Sequence, residues 1–176
     1  MLHYLIVVDI QKDFVDGALG TAEAVKMIDR AADKISKFDG RIYVTYDTHF
    51  ENYMDTAEGK KLPVPHCIKG TPGWELNSSI AQALSGKNYT AVEKLTFGSV
   101  ELPEIIKENA GGEDFDITLI GLCTDICVVS NALILKASFP EKRIVVDAAC
   151  CAGVTVETHN AALQTMKMCQ IEVVNE

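Results

Sequence analysis

A net charge of −9, from 25 acidic against 16 basic side chains, leaves no cluster of Lys and Arg to neutralise phosphates and sets nucleic acid aside as an expected partner. The 176 residues are 48% hydrophobic and 23% charged, an ordinary globular composition, and are enough to bury a core as one domain over 1–176. No stretch approaches the roughly 20 apolar residues of a membrane span, and residues 1–9 lack the basic flank and length of a signal peptide, so the expected location is the cytoplasm.

In chain order, residues 3–8 read as a buried strand. Thr21 caps a helix in which Val25, Ile28, Ala32 and Ile35 recur at spacings of three and four. Residues 41–46, β-branched and aromatic, form a second strand. The segment from Asp47 to Gly73 holds Pro63, Pro65 and Pro72, and irregular segments of that length are usually functional. A helix from about Trp74 to Leu84 precedes a strand at 89–93, and a short helix at 101–109 begins near Ser99. Strand 115–120 ends in a Gly turn and leads into an apolar helix opened by Cys127. Residues 143–147 form a strand, Thr155 opens a helix to about Met168, and Cys169–Val174 is the last strand. Strands without polar alternation, separated by helices, predict a three-layer α/β/α sandwich around a six-stranded, mostly parallel sheet. No repeat or linker interrupts it.

The six cysteines read as free thiols in a reducing compartment. Cys67, Cys150, Cys151 and Cys169 read as small buried hydrophobes, and the lack of any Cys-x-x-Cys pair sets aside a structural zinc knot. Cys127 is different. A thiol at a helix N-terminus has a lowered pKa, and the thiolate is the nucleophile. In a parallel sheet the carboxyl ends of the strands share one edge, where ligands bind. Asp9, Asp47, Lys94 and Cys127 all fall at such ends. A carboxylate to accept the thiol proton, a cation to favour both anions, and backbone N–H groups of Cys123 and Cys127 to hold an oxyanion would together perform acyl transfer. In the next segment, Asp47 and His49 point the same way if extended, and His66 returns in the loop; two His and one carboxylate suit zinc, iron or manganese. His3 and His159 have no such neighbourhood, and His159 reads as a helix-surface residue.

These segments resemble the isochorismatase-like cysteine hydrolases, and within them the nicotinamidase branch. The matching stretches are Val7-Val8-Asp9-Ile10-Gln11-Lys12-Asp13-Phe14, Asp47-Thr48-His49, Pro65-His66-Cys67-Ile68-Lys69-Gly70-Thr71-Pro72-Gly73, Lys94 followed by Phe97, and Gly121-Leu122-Cys123-Thr124-Asp125-Ile126-Cys127-Val128, in the family's order. The resemblance implies a catalytic Asp9–Lys94–Cys127 triad and one divalent metal ion held by Asp47, His49 and His66. Glu58 lies where some members have a further ligand. Phe14 and Phe97 match the aromatic walls around a pyridine ring, and a cis peptide is implied at Leu122–Cys123. One departure is Leu62-Pro63-Val64-Pro65, where many relatives carry an aromatic residue; ring stacking would then come from elsewhere, for example Trp74. The implied activity is hydrolysis of nicotinamide to nicotinate and ammonia through a cysteine thioester, a step of NAD salvage. The implied assembly is a homo-oligomer acting on a small amide. Two other readings stay open: a carbamoyl or ureido hydrolase, and a non-catalytic metal-binding module on the same fold.

Overall fold

The computed structural model describes residues 1–176. Its strands are β1 (Leu2–Val8), β2 (Arg41–Asp47), β3 (Tyr89–Lys94), β4 (Phe115–Leu122), β5 (Ile144–Ala152) and β6 (Glu172–Val174). Its helices are α1 (Lys12–Val15), α2 (Ala22–Lys37), α3 (Ala57–Lys61), α4 (Ser78–Leu84), α5 (Leu102–Ala110), α6 (Val129–Ser138) and α7 (Val156–Met168). All six strands are parallel, in the order β3-β2-β1-β4-β5-β6. The chain winds outward from β1 to β3 and then restarts on the other side with β4. The crevice between β1 and β4 is therefore the switch point at which open sheets of this kind bind ligands.

Side chains alternate across β1. Tyr4, Ile6 and Val8 face one apolar core with α5, α6 and α7, whereas Leu5 and Val7 face a second core with α2 and α4. All five are fully buried, and each such apolar side chain contributes about 1.5–3 kcal/mol. This explains why the strand reads as continuously apolar. No helix is long and apolar enough to cross a membrane.

Several local expectations shift. Thr21 does cap α2, its side chain accepting from Ala24 N, but the buried stripe is Ala24, Met27, Ile28, Ala31 and Ile35; Val25 is half exposed. The helix expected from Trp74 splits into a 3-10 turn at Pro72–Trp74 and α4, because Leu76 bridges Gln11 and Asn77 starts a new cap. The segment after β2 is not structureless: it holds a 3-10 turn at Tyr53–Asp55 and α3. β5 runs five residues beyond Asp147 through Ala148–Ala152, small residues with weak strand preference that are held extended by pairing Gly121 with Cys151 and Leu122 with Ala152. β6 starts later than expected. Gln170 takes a left-handed φ of 63°, and Ile171 N closes onto Met166 O at 3.0 Å, so residues 169–171 end α7, and Cys169 is exposed rather than buried. Cys67, Cys150 and Cys151 are buried as expected.

Gly121 brings the crevice together. Its φ is 127°, and a Cβ there would stand 2.1 Å from Val8 O, so only glycine lets the end of β4 lie against the end of β1.

Candidate active site

Asp9 leaves β1 with a left-handed φ of 46°, a conformation Asp tolerates, while its N–H donates to Thr45 O at 3.2 Å. Lys94 ends β3 opposite Asp47, the last residue of β2. Cys127 lies after β4, but not at the start of a regular helix. Residues Thr124–Val128 form one wide π turn, with Val128 N donating to Cys123 O at 3.0 Å, and α6 begins only after it. Such single π turns recur at functional sites. The turn is braced from α7 and the turn before it: the Val154 N–H donates to the Asp125 carboxylate, and Thr124 Oγ1 is 2.8 Å from His159 Nδ1. His159 is thus a half-buried brace, not a surface residue. The Leu122–Cys123 peptide is cis, as the resemblance implied.

Lys94 Nζ gathers the site. It lies 2.6 Å from Asp9 Oδ2, 3.3 Å from Asp47 Oδ1 and 3.5 Å from Cys127 Sγ, and it donates to Thr96 O at 3.1 Å. Thr45 Oγ1 donates to Asp9 Oδ1 at 2.6 Å. Asp9 Oδ2 is an ion-pair partner of Lys94, yet no donor is aligned on it as a hydrogen bond. Burial alone would lower Lys94, but Asp9, Cys127 and Asp47 outweigh it and keep the ammonium charged. Burial, partly offset by Lys94, lifts Asp9 above the ordinary carboxylate range. For Cys127 the expected direction is reversed. Burial first, then the nearby Asp9 charge, pushes the thiol well above its usual value, against the pull of Lys94. Desolvation of a fully enclosed sulfur outweighs any helix-end effect.

Beside this group, Asp47, His49 and His66 offer ligand atoms that all lie within 4.8 Å of one another. His49 Nε2 is 3.1 Å and His66 Nε2 3.5 Å from Asp47 Oδ2, and Glu58 Oε1 is 3.6 Å from both imidazole nitrogens. Ligands around one tetrahedral zinc stand about 3.3 Å apart, so this donor set fits a divalent ion. His66 Nδ1 lies 2.8 Å from the Val64 carbonyl, which can only accept; the proton is therefore on Nδ1, and the Nε2 lone pair is free for a metal. Burial opposes ionisation of Asp47, but the neighbouring imidazoles of His49 and His66 and the charge of Lys94 hold its carboxyl well below the usual range. Glu58 approaches the ligands from α3, with its flank towards solvent.

A cavity of about 570 Å³ opens onto both groups. Phe14, Phe97, Leu19, Leu62, Leu95 and Ile126 line it, together with Cys123, Cys127, Asp47, His49, Glu58 and His66. Phe14 is buried and packs edge-on to His66 at 5.4 Å, whereas Phe97 is half exposed at the wall. Trp74 is not at the cavity. Its ring packs on Tyr46, and its Nε1 donates to Thr48 Oγ1, so Leu62 takes the wall position that sequence left open and Trp74 supplies no stacking there.

Three supporting residues escaped the sequence reading. Gln11 donates to Asp47 O and Trp74 O, both at 2.9 Å, and accepts from Asp47 N at 2.8 Å. Asp13 accepts from Cys67 N at 2.8 Å and so pins the His66 loop. Thr45 orients Asp9. Gln11 and Asp13 lie inside the matching stretch after β1, among other polar residues, so nothing in their local pattern singled them out.

The family model for the isochorismatase domain matches residues 3–175. The chain belongs to the isochorismatase family. It is 28% identical over 190 residues to a nicotinamidase/pyrazinamidase of Mycobacterium tuberculosis, covering 98% of each chain. Its fold superposes on a nicotinamidase/pyrazinamidase from Bacillus subtilis with a TM-score of 0.86 at 26% identity, covering 99% of this chain and 100% of the other. It superposes on a pyrazinamidase of Pyrococcus horikoshii in complex with zinc with a TM-score of 0.82 at 25% identity, each chain fully covered.

Proposed function

We propose that this protein is an amidohydrolase that converts nicotinamide, and the near-isosteric pyrazinamide, to the acid and ammonia. The observation that carries this reading is that one cavity is lined by both the Cys127 thiol, backed by buried Asp9 and Lys94, and a three-ligand metal set, with Lys94 Nζ touching both groups. In this reading Cys127 is the nucleophile, Asp9 the proton carrier and Lys94 the cation that keeps the pair in register.

The thiol stays protonated until substrate enters. Asp9 then takes the proton on Oδ2, the oxygen with no aligned donor, and the thiolate sulfur attacks the carboxamide carbon. The N–H groups of Cys123 and Cys127 hold the oxyanion, a kind of stabilisation worth about 3–4 kcal/mol per donor elsewhere. As the C–N bond breaks, Asp9 returns the proton to the nitrogen and ammonia leaves behind a thioester. Asp9 next deprotonates a water that attacks the thioester carbon, and the thiol is re-formed as the acid departs. A divalent ion on Asp47, His49 and His66, with Glu58 as a further donor, would supply a Lewis-acid contact for a ring nitrogen and so fix the carboxamide over Cys127. Phe14 and Phe97 would flank the ring.

A carbamoyl or ureido substrate has no ring nitrogen to anchor, and the three-ligand set of Asp47, His49 and His66, with His66 Nε2 freed by its Nδ1 partner, favours the heteroaromatic amide. Assembly as a homo-oligomer is part of the same reading, and light scattering tests it. The deciding assay is ammonia release from nicotinamide, pyrazinamide and a ureido compound by protein with measured metal content. Metal-loaded protein that turns over neither heteroaromatic amide sinks the proposal.

A further inference from the structure

The segment after β3 carries Leu95 and Phe97 into the cavity wall, yet it belongs to no helix or strand. It is fastened at both ends. At one end, Lys94 Nζ donates to Thr96 O, and Thr96 Oγ1 donates to Gly98 O at 2.7 Å. At the other, it meets Asn131, a fully buried residue of α6 four positions after Cys127. Asn131 Oδ1 accepts from Ser99 N at 2.9 Å, and Asn131 Nδ2 donates to Phe97 O at 3.2 Å and to Cys127 O at 2.8 Å. The fit is close: a Cβ on Gly98 would come within 2.4 Å of Ile134 Cδ1.

We propose that Asn131 is a positioning residue that couples the substrate wall to the nucleophile, one carboxamide holding the Phe97 segment and the carbonyl of Cys127 at once. The proposal rests on the amidohydrolase reading for the roles of Cys127 and Phe97. Its physical basis is the inventory of an amide side chain. Two N–H donors and one acceptor are all engaged here, on groups whose positions matter to two different steps. Cys127 sits in a π turn, whose hydrogen bonding is looser than that of an α-helix. An extra donor on its carbonyl limits where the sulfur points. The same amide sets where Phe97 stands, and hence how well the ring is held.

The two halves separate by mutation. A hydroxyl at this position can donate to the carbonyl four residues back, as Ser130 Oγ already does to Ile126 O at 2.6 Å in the same turn. Asn131→Thr therefore keeps the Cys127 bond and loses the two to the wall segment, whereas Asn131→Leu, close in size, loses all three. With nicotinamide the Thr variant should keep kcat within about threefold of wild type and raise KM about tenfold; the Leu variant should raise KM similarly and also lower kcat about tenfold or more. Hydrogen exchange at the Ser99 amide should quicken in both. Asn131→Asp keeps the acceptor for Ser99 but offers no donors, so it should lose kcat even though the segment stays tied at Ser99. Thermal melts identify any variant that has not folded, and the remaining variants then decide. A folded Leu variant with wild-type kcat and KM overturns the proposal, as do Thr and Leu variants that change both constants equally. If wild type itself turns over no amide, the function is wrong rather than the clamp. The clamp is then read from the rate of Cys127 alkylation by iodoacetamide, resolved by mass spectrometry: unchanged in Thr and changed at least about threefold in Leu if it holds, equal in all three proteins if it does not.

Discussion

Replacing Thr45 with valine perturbs one bond in the buried Asp9–Lys94–Cys127 group and nothing else of consequence. Thr45 Oγ1 donates to Asp9 Oδ1 at 2.6 Å and lies 3.3 Å from Asp9 N, but that N–H keeps its bond to Thr45 O at 3.2 Å in the variant. The loss therefore falls on the carboxylate. Hydrogen bonds to charged groups are worth about 1.5–3 kcal/mol, and part of this survives when Asp9 is protonated, so the lower end applies to the difference between the two forms. That difference, about 1.4 kcal/mol, is about one pKa unit. Asp9 already lies above the ordinary carboxylate range because burial outweighs Lys94. Removing a donor to the anion raises it further. Activity that needs the carboxylate is lost as pH falls through this value, so the acid limb of kcat/KM for nicotinamide should move about one unit to higher pH in Thr45→Val. Thr45→Ser keeps the hydroxyl and should follow wild type. The profiles are measured on folded, metal-saturated proteins. An acid limb for the valine variant that coincides with wild type, or moves to lower pH, refutes the assignment of that limb to Asp9.

The two cavity cysteines should separate cleanly. Cys127→Ala should retain almost no turnover, whereas Cys123→Ala should retain most of it if Cys123 acts through its backbone N–H alone, as proposed; equal losses would show that its sulfur takes part. Gln11→Leu leaves two buried backbone groups and one part-buried one without their side-chain partners, at about 1 kcal/mol each, so it should cost about 3 kcal/mol and lower Tm by about 6–12 °C, read by a thermal melt. Phe97→Ala should raise KM for nicotinamide about tenfold through loss of an aromatic contact. Trp74→Phe, outside the cavity, should leave KM unchanged, and a rise in KM there would place Trp74 in substrate binding after all.

Much of this was legible from residues alone. Unbroken apolar runs such as residues 4–8 could only be strands covered on both faces, and a sheet of such strands is parallel. Motif spacing also anticipated that Asp9, Lys94, Cys127 and the Asp47–His49–His66 set lie near one another, because each falls at a strand end or in the loop that follows one. Boundaries were less legible where pairing overrides preference, as in Ala148–Ala152, or where a bridge to a distant residue restarts a helix, as at Asn77.

What sequence by itself determined was chemical identity and its approximate place: a thiol, an acid, a cation and two imidazoles at the carboxyl edge of a parallel sheet. Only the tertiary structure decided what those groups do to one another. The thiol is raised rather than lowered because its environment is the whole enclosed crevice, not its local helix end. Lys94 touches both the Asp9–Cys127 pair and Asp47 because parallel register puts the ends of β2 and β3 opposite each other. Thr45, Gln11 and Asn131 each reach a site partner 36 or 34 residues away along the chain, in two cases a backbone carbonyl that no motif can mark. Hydrogen bonds to backbone have no complementary side chain to read, so those residues became visible only once the chain was folded.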